Sequence, residues 1–207
     1  MMGKTHIAVG IATAFILFRP YTPSELAAAT IGGSIGGIMA DIDVKIDKSN
    51  KYSFKASIDA LYGELLAISI SLAVFLADCQ FGGEIIKRIA DNYIFSITGC
   101  VFLTGLIIVG EMSKHRDRTH SLLALMLFSI AVVMIDSYIG IAFFLGYASH
   151  LFIDLFNKMD IRLLYPLKKG ISFKLIYADR IGNEVLLLLG TFCAAAYLYS
   201  RIYGLQM

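Results

Sequence analysis

Apolar residues along the 207-residue chain gather into seven runs divided by short charged or turn-forming stretches: 5–18, 24–40, 60–78, 93–110, 120–136, 138–156 and 183–203. Runs of this length predict helices, and a full membrane crossing needs roughly 20 residues, with about 17 as a working minimum. The first run is short, so a tilted or partly inserted helix is expected there. The second contains Gly32-Gly33-Ser34-Ile35-Gly36-Gly37. Its small residues permit close backbone approach but weaken an isolated helix, so tight packing or a broken, re-entrant segment is expected.

The punctuation between runs agrees with these boundaries. Arg19-Pro20-Tyr21-Thr22-Pro23-Ser24 separates the first two, with Ser24 as candidate N-cap and Glu25 in the first turn; Thr119 is the candidate cap of the fifth helix. Asp136-Ser137 is too short a connection for anything but an antiparallel hairpin of the fifth and sixth helices. The expected architecture is an all-α, polytopic transmembrane helical bundle of about six to seven membrane helices, forming a single integral membrane domain over residues 1–207.

Composition supports lipid as the solvent. The chain is 57% hydrophobic and 16% charged, against roughly 25% charged in soluble domains, and its mean hydropathy is +0.72. A net charge of +2 with scattered basic residues offers no stripe for nucleic acid, which is not expected as a partner. Cys79, Cys100 and Cys193 are isolated within apolar runs, lack CxxC spacing, and are expected to be small buried residues. Lys4 followed by the run from Ile7 to Phe18 imitates a secretory signal peptide. The reading adopted is that this segment is retained as the first helix.

Orientation follows from the Lys and Arg residues, which accumulate in cytoplasmic loops. One alternate set of loops carries 14 of the 18 basic residues; the other holds Arg19, Lys87, Arg88 and Arg201. The expected location is therefore the cell's inner (plasma) membrane, with the N-terminus and the loops after the second, fourth and sixth helices on the cytoplasmic side.

All four histidines fall at that same side. His6 starts the first helix, His115 and His120 precede the fifth, and His150 lies near the end of the sixth. Asp41 and Asp43 end the second helix, and Asp154 follows His150 by four residues, on the same helical face. An aspartate at a helix centre costs about 2.5–3.5 kcal/mol on insertion scales, so such groups need partners. Imidazole nitrogen with carboxylate oxygen suits a divalent metal: zinc is preferred, and manganese or iron accepts the same donors. His6, Asp41, Asp43, His115, His120, His150 and Asp154 make seven candidate ligands. That surplus over four leaves open two ions sharing a carboxylate, or one ion with outer acids.

The segment His115-Arg116-Asp117-Arg118-Thr119-His120-Ser121 resembles the HRGxTHS motif of the YdjM-like, LexA-regulated family of membrane-bound metal-dependent hydrolases. Other pieces follow in the expected order: Thr5-His6 with Gly10, Gly36 to Asp43, Gly146 to Asp154, and Leu163-Leu164-Tyr165-Pro166. The likeness spans most of the chain. Ala40 and Val44 stand where the family commonly has proline and histidine, and Asp117 where it has glycine. The resemblance implies a helical membrane fold with a hydrolytic metal centre, distantly similar to zinc-dependent phospholipases C.

The function expected from these residues is hydrolysis of a phosphoester, such as a phospholipid or lipid-linked phosphate, at the cytoplasmic interface. Asp43 and Asp117 are the candidate catalytic acids, while Arg116, Arg118, Lys168 and Lys169 could hold the phosphate. Glu64 and Glu184 are possible outer acids. No GxSxG elbow, Walker loop or HExxH sequence supports another hydrolytic chemistry. The alternatives are a metal- or proton-coupled transporter, with Ser69, Ser71, Ser96, Thr98 and Thr104 lining a route, and a non-catalytic protein whose metal clamps helices together.

Overall fold

The computed structural model describes residues 2–45, 48–49, 51–113, 116–167, 169–175 and 181–204, with the side chains of 51–53 excepted. Each predicted apolar run becomes a helix: α1 (Gly3–Phe18), α2 (Pro23–Met39), α3 (Lys51–Gln80), α5 (Tyr93–Glu111), α6 (Leu122–Ile135), α7 (Ser137–Leu155) and α8 (Ile181–Ile202). A 3-10 turn, Ala40–Asp43, extends α2, and an additional short helix, α4 (Glu84–Asp91), lies between α3 and α5. Segments in α3, α5, α7 and α8 are long and apolar enough to cross a membrane, while α1 and α6 are shorter apolar helices.

The helix ends differ from expectation in two places. The N-cap of α2 is Thr22 rather than Ser24: its hydroxyl accepts from the Glu25 N–H at 3.2 Å, and Glu25 returns to the Thr22 N–H. Pro23 therefore occupies the first helical position, where its missing N–H costs nothing. The cap of α6 is Ser121 rather than Thr119, accepting from the Ala124 N–H at 3.1 Å. Asp136 caps α7 through the Ile139 N–H, and α6 and α7 pack as the expected hairpin.

α3 begins nine residues before its apolar run. Two polar residues of the added turns meet protein: Asp59 accepts the Gly3 N–H at 2.9 Å and satisfies an end donor of α1, while the Ser57 hydroxyl donates to the Lys45 carbonyl. At the opposite end of the bundle, α4 fits its Ile85 into the interior, and Asp78 accepts the Ile85 N–H. Arg88 then joins Asp136 at 2.6 Å and the Ser24 hydroxyl at 3.0 Å, tying α4 to the starts of α2 and α7.

The centre of the bundle is α2, packed against α1, α3 and α7. Its glycine-rich segment is one continuous helix, so the broken alternative does not occur. A Cβ at Gly36 would collide with the Phe143 carbonyl of α7, and one at Gly37 would stand 2.5 Å from the His6 carbonyl of α1. Without side chains at these two positions the three backbones approach closely, which gives them extensive dispersion contact. Beside this seam, Leu125 and Phe128 of α6 pack on Phe143, Tyr147 and Leu151 of α7.

The outward faces of α3, α5 and α8 expose Leu65, Leu72, Ile97, Val101, Leu188 and Phe192. In water this apolar area would be unfavourable at roughly 25 cal/mol per Å², whereas hydrocarbon imposes no such penalty. The cysteines join this surface instead of the core, because their helices turn those positions outward: Cys79 and Cys100 are exposed and Cys193 is half-buried.

Gly36→Val is expected to destabilise the protein by about 1–3 kcal/mol through forced separation of α2 from α7. Gly105→Ala, with nothing within 4 Å of the new Cβ, is the control and should be neutral or stabilising. Unfolding midpoints in mixed micelles distinguish the two.

Candidate metal centre

Four elements deliver polar side chains to one end of the bundle. The first turn of α1 carries His6, the 3-10 turn after α2 carries Asp41 and Asp43, the segment before α6 carries His120, and the last two turns of α7 carry His150 and Asp154. The close approach of α1 and α7 to α2 determines how nearly these groups meet. The rings of His6 and His150 stack with centroids 3.7 Å apart, and His120 meets His150 edge-on at 5.3 Å.

Two overlapping groups offer ligand atoms that lie within 4.8 Å of one another: His6, His150 and Asp154, and Asp41, His120 and His150. The two oxygens of Asp154 divide between them, Oδ1 standing 3.6 Å from His6 Nε2 and Oδ2 3.6 Å from His120 Nε2. Asp41 Oδ1 lies 3.4 Å from His120 Nε2 and 3.7 Å from His150 Nε2. An imidazole nitrogen has one lone pair and cannot serve two ions, so any sharing between the groups would fall to a carboxylate.

The surroundings prepare these rings for coordination. His150 Nδ1 donates to the Gly37 carbonyl at 2.7 Å, one of the end carbonyls of α2 left without an intrahelical donor. That bond fixes the proton on Nδ1 and turns the lone pair of Nε2 toward the two aspartates. His150 Nε2 and both ring nitrogens of His6 are buried and lack hydrogen-bond partners among the described residues. Each such orphan costs about 1–3 kcal/mol, a penalty that coordination would remove at His150 Nε2 and at one nitrogen of His6. Three imidazoles with two carboxylates fit zinc, manganese or iron better than magnesium or calcium, which favour oxygen alone.

His6, His120 and His150 are closed off from solvent, while the side chains of Asp41 and Arg116, each 11% exposed, mark the opening. Arg116 reaches Asp154 Oδ2 with its guanidinium at 3.3 Å and the Met159 carbonyl at 3.1 Å. Burial alone would raise the Asp41 pKa, but the neighbouring imidazoles of His150, His120 and His6 outweigh it and hold the carboxyl well below its usual range. Burial alone would lower the His120 pKa, but hydrogen bonding and attraction to Asp154 and Asp41 push it up to about 9. In the absence of metal, His120 is thus a cation between two carboxylates at neutral pH.

Other sequence candidates are placed differently. Asp43 stands outside both groups and braces the segment before α6, accepting the Thr119 hydroxyl at 2.7 Å and the Arg116 N–H at 3.0 Å. The Thr119 hydroxyl also lies 3.2 Å from His120 Nδ1. Asp117 pairs with Arg162 at 2.7 Å, rather than with Arg116 or Arg118, and stays at the rim. Arg118 and Lys169 are exposed, and His115 and Lys168 lie outside the described residues. Glu184 pairs with Lys4 at 3.5 Å. Ser69, Thr98 and Thr104 are exposed and return their hydroxyls to carbonyls four residues earlier, so they line no internal route.

Two buried supports had no functional assignment in the sequence reading. Asn183 of α8 accepts both the Met2 N–H and the Thr5 hydroxyl at 3.0 Å, fixing the turn that carries His6. Tyr147 donates to the Thr119 carbonyl at 2.6 Å, holding the His120 segment against α7. A polar residue opening an apolar run, and a tyrosine three residues before His150, were the available signals.

With this geometry in view, comparison with known proteins gives one family model, described as YdjM inner membrane protein, matching residues 1–206. The chain belongs to the YdjM inner membrane protein family. It is also similar to the uncharacterized protein YvsG of Bacillus subtilis (strain 168), with 30% identity over 211 residues, covering 100% of this chain and 99% of that protein. No solved structure matches. The family assignment agrees with the helical membrane architecture, and the candidate centre lies within the matched region.

Coordination through His120 would displace the proton that its raised pKa retains. Apparent affinity should therefore rise as pH increases toward about 9 and weaken by up to about tenfold per unit below it. Calorimetry in buffers of different ionisation enthalpy should register proton release; pH-independent affinity without release would contradict this arrangement. Asn183→Ala and Thr119→Val, which remove supports rather than candidate ligands, should each lower metal affinity by about 10–100-fold.

Proposed function

We propose that the chain is a metal-dependent hydrolase that acts on a phosphoester, such as a phospholipid or lipid-linked phosphate, at the cytoplasmic face of the inner membrane. The observation that carries this reading is the meeting of three imidazoles and two carboxylates from four elements in one buried cluster, with an arginine at its opening. The donor set favours zinc, with manganese or iron as alternatives, and the division of Asp154 between two groups accommodates one or two ions. A bound divalent ion would lower the pKa of water and polarise the scissile group.

The protein's own residues supply position and charge. His6, Asp41, His120, His150 and Asp154 would hold the ion. Asp43, through Thr119, would orient His120 and keep its ring aimed inward. Arg116 stands where an anionic phosphoester would enter and can exchange its contact with Asp154 for one to a phosphate oxygen. The concentration of Lys and Arg at the loops on this end supports a cytoplasmic orientation. Proximity to the bilayer favours a lipid-borne substrate.

A structural-metal reading has one observation in its favour, the near-complete burial of the three rings. Elemental analysis and phosphoester assays of wild type, His120→Ala, Asp154→Ala and Arg116→Gln separate the alternatives. The hydrolase reading expects the two ligand variants to lose metal and activity together. Arg116→Gln should keep its metal but lose activity by about 10-fold or more, on the scale of a charge-assisted contact. Metal in the wild type with no cleavage of any phosphoester, and unfolding on chelation, would favour the structural clamp.

A further inference from the structure

Beside the candidate centre, α5 and α6 line a groove of about 190 Å³. Its walls are Leu106, Val109 and Gly110 from α5, and Leu123, Ala124 and Phe128 from α6. Gly110, Ala124 and Phe128 form a buried floor, whereas Val109 and Leu123 are about half exposed along the rim. The rim residues Val109 and Leu123 are themselves exposed and apolar, and Ile108 and Leu122 beside them in sequence are exposed too, as expected of a surface that meets hydrocarbon.

The two ends differ in chemistry. Leu106 and Leu127 close the apolar end, while Arg118, Thr119 and Ser121 line the end toward the metal centre. Arg118 is exposed and makes no ion pair with any described residue. Thr119 joins the groove to the centre, since its hydroxyl reaches Asp43 and it immediately precedes His120. The volume corresponds to about six water molecules at ~30 Å³ each, room for the upper part of one hydrocarbon chain but not two.

We infer that this groove binds one chain of a phosphate-bearing membrane lipid, with its phosphate beside Arg118. The charge at one end, the apolar floor and the exposed apolar rim favour this occupant over a soluble phosphate or a peptide. A lipid would enter sideways from the membrane, one chain between α5 and α6 and any second chain in the bilayer. The inference rests on the proposed hydrolase function only in calling that lipid a substrate; binding is measured without turnover.

The test reconstitutes the intact protein into phosphatidylcholine vesicles containing phosphatidic acid with a diazirine in one chain near the headgroup, or the matching diacylglycerol. After illumination, labelled peptides are mapped. Labelling should concentrate at residues 106–110 and 123–128 and favour phosphatidic acid by about 3–5-fold, the scale of a partly exposed ionic contact. Arg118→Gln should abolish that preference, and Val109→Trp should reduce groove labelling severalfold without changing labelling of α3 and α8. Val109 lies on the rim, so the larger ring can cover the groove without entering the core; Gly110→Ala is a milder second filling variant.

Uniform labelling of all outward helices, or equal labelling by the two lipids in wild type and Arg118→Gln, would overturn the inference. A water-soluble phosphoester assay on the same preparations separates it from the proposed reaction. Cleavage of that compound with uniform lipid labelling leaves the hydrolase and removes the groove. Groove labelling without cleavage of any phosphoester leaves the lipid site and removes the hydrolase.

Discussion

The cost of keeping imidazoles and carboxylates inside an apolar bundle governs the arrangement of this protein. His6, His120, His150 and Asp154 are essentially closed off from solvent, where isolated polar groups are unfavourable unless partners or an ion satisfy them. The bundle limits that cost by placing them within a turn or two of helix ends. There, unused end groups such as the Gly37 carbonyl can serve as partners. It also mixes signs: two aspartates, a protonated His120 in the absence of metal and the Arg116 guanidinium compensate one another within a few ångströms.

Close backbone packing makes that compensation geometrically possible. α2 packs against both helices carrying His6 and His150, and side chains at Gly36 and Gly37 would force those helices outward. Because imidazole and carboxylate contacts lose their value over about an ångström, the small-residue seam is as much a part of the site as the ligating atoms. Asn183 adds hydrogen bonds to the turn that carries His6, and Tyr147 fixes the His120 segment, which the seam does not reach. Precision at the centre thus comes from rigid helices and buried hydrogen bonds.

The membrane imposes the complementary requirement on the outside. α3, α5 and α8 present apolar side chains outward, and α4 with Arg88 and Asp136 closes the end opposite the buried histidine–aspartate cluster. This separation places titratable chemistry at one end of the bundle and a structural ion pair at the other. The α5–α6 groove is where the two environments meet, since its floor is apolar and its upper end leads to Thr119 and His120.

The sequence by itself determined the helical class, the seven apolar elements and the end of the bundle at which the histidines and aspartates collect. Apolar run length and alternation of chain direction are local properties, sufficient to place His6, Asp41, His120, His150 and Asp154 on one side. Tertiary structure decided which of them meet, because a Cβ too many at Gly36 or a rotation of α1 would separate groups that remain on the same side. It set Asp43 behind His120, paired Asp117 with Arg162, moved two helix caps and turned the cysteines outward. Those outcomes depend on neighbours distant in the chain, such as Asn183 beside Thr5, and no periodicity within one segment encodes them.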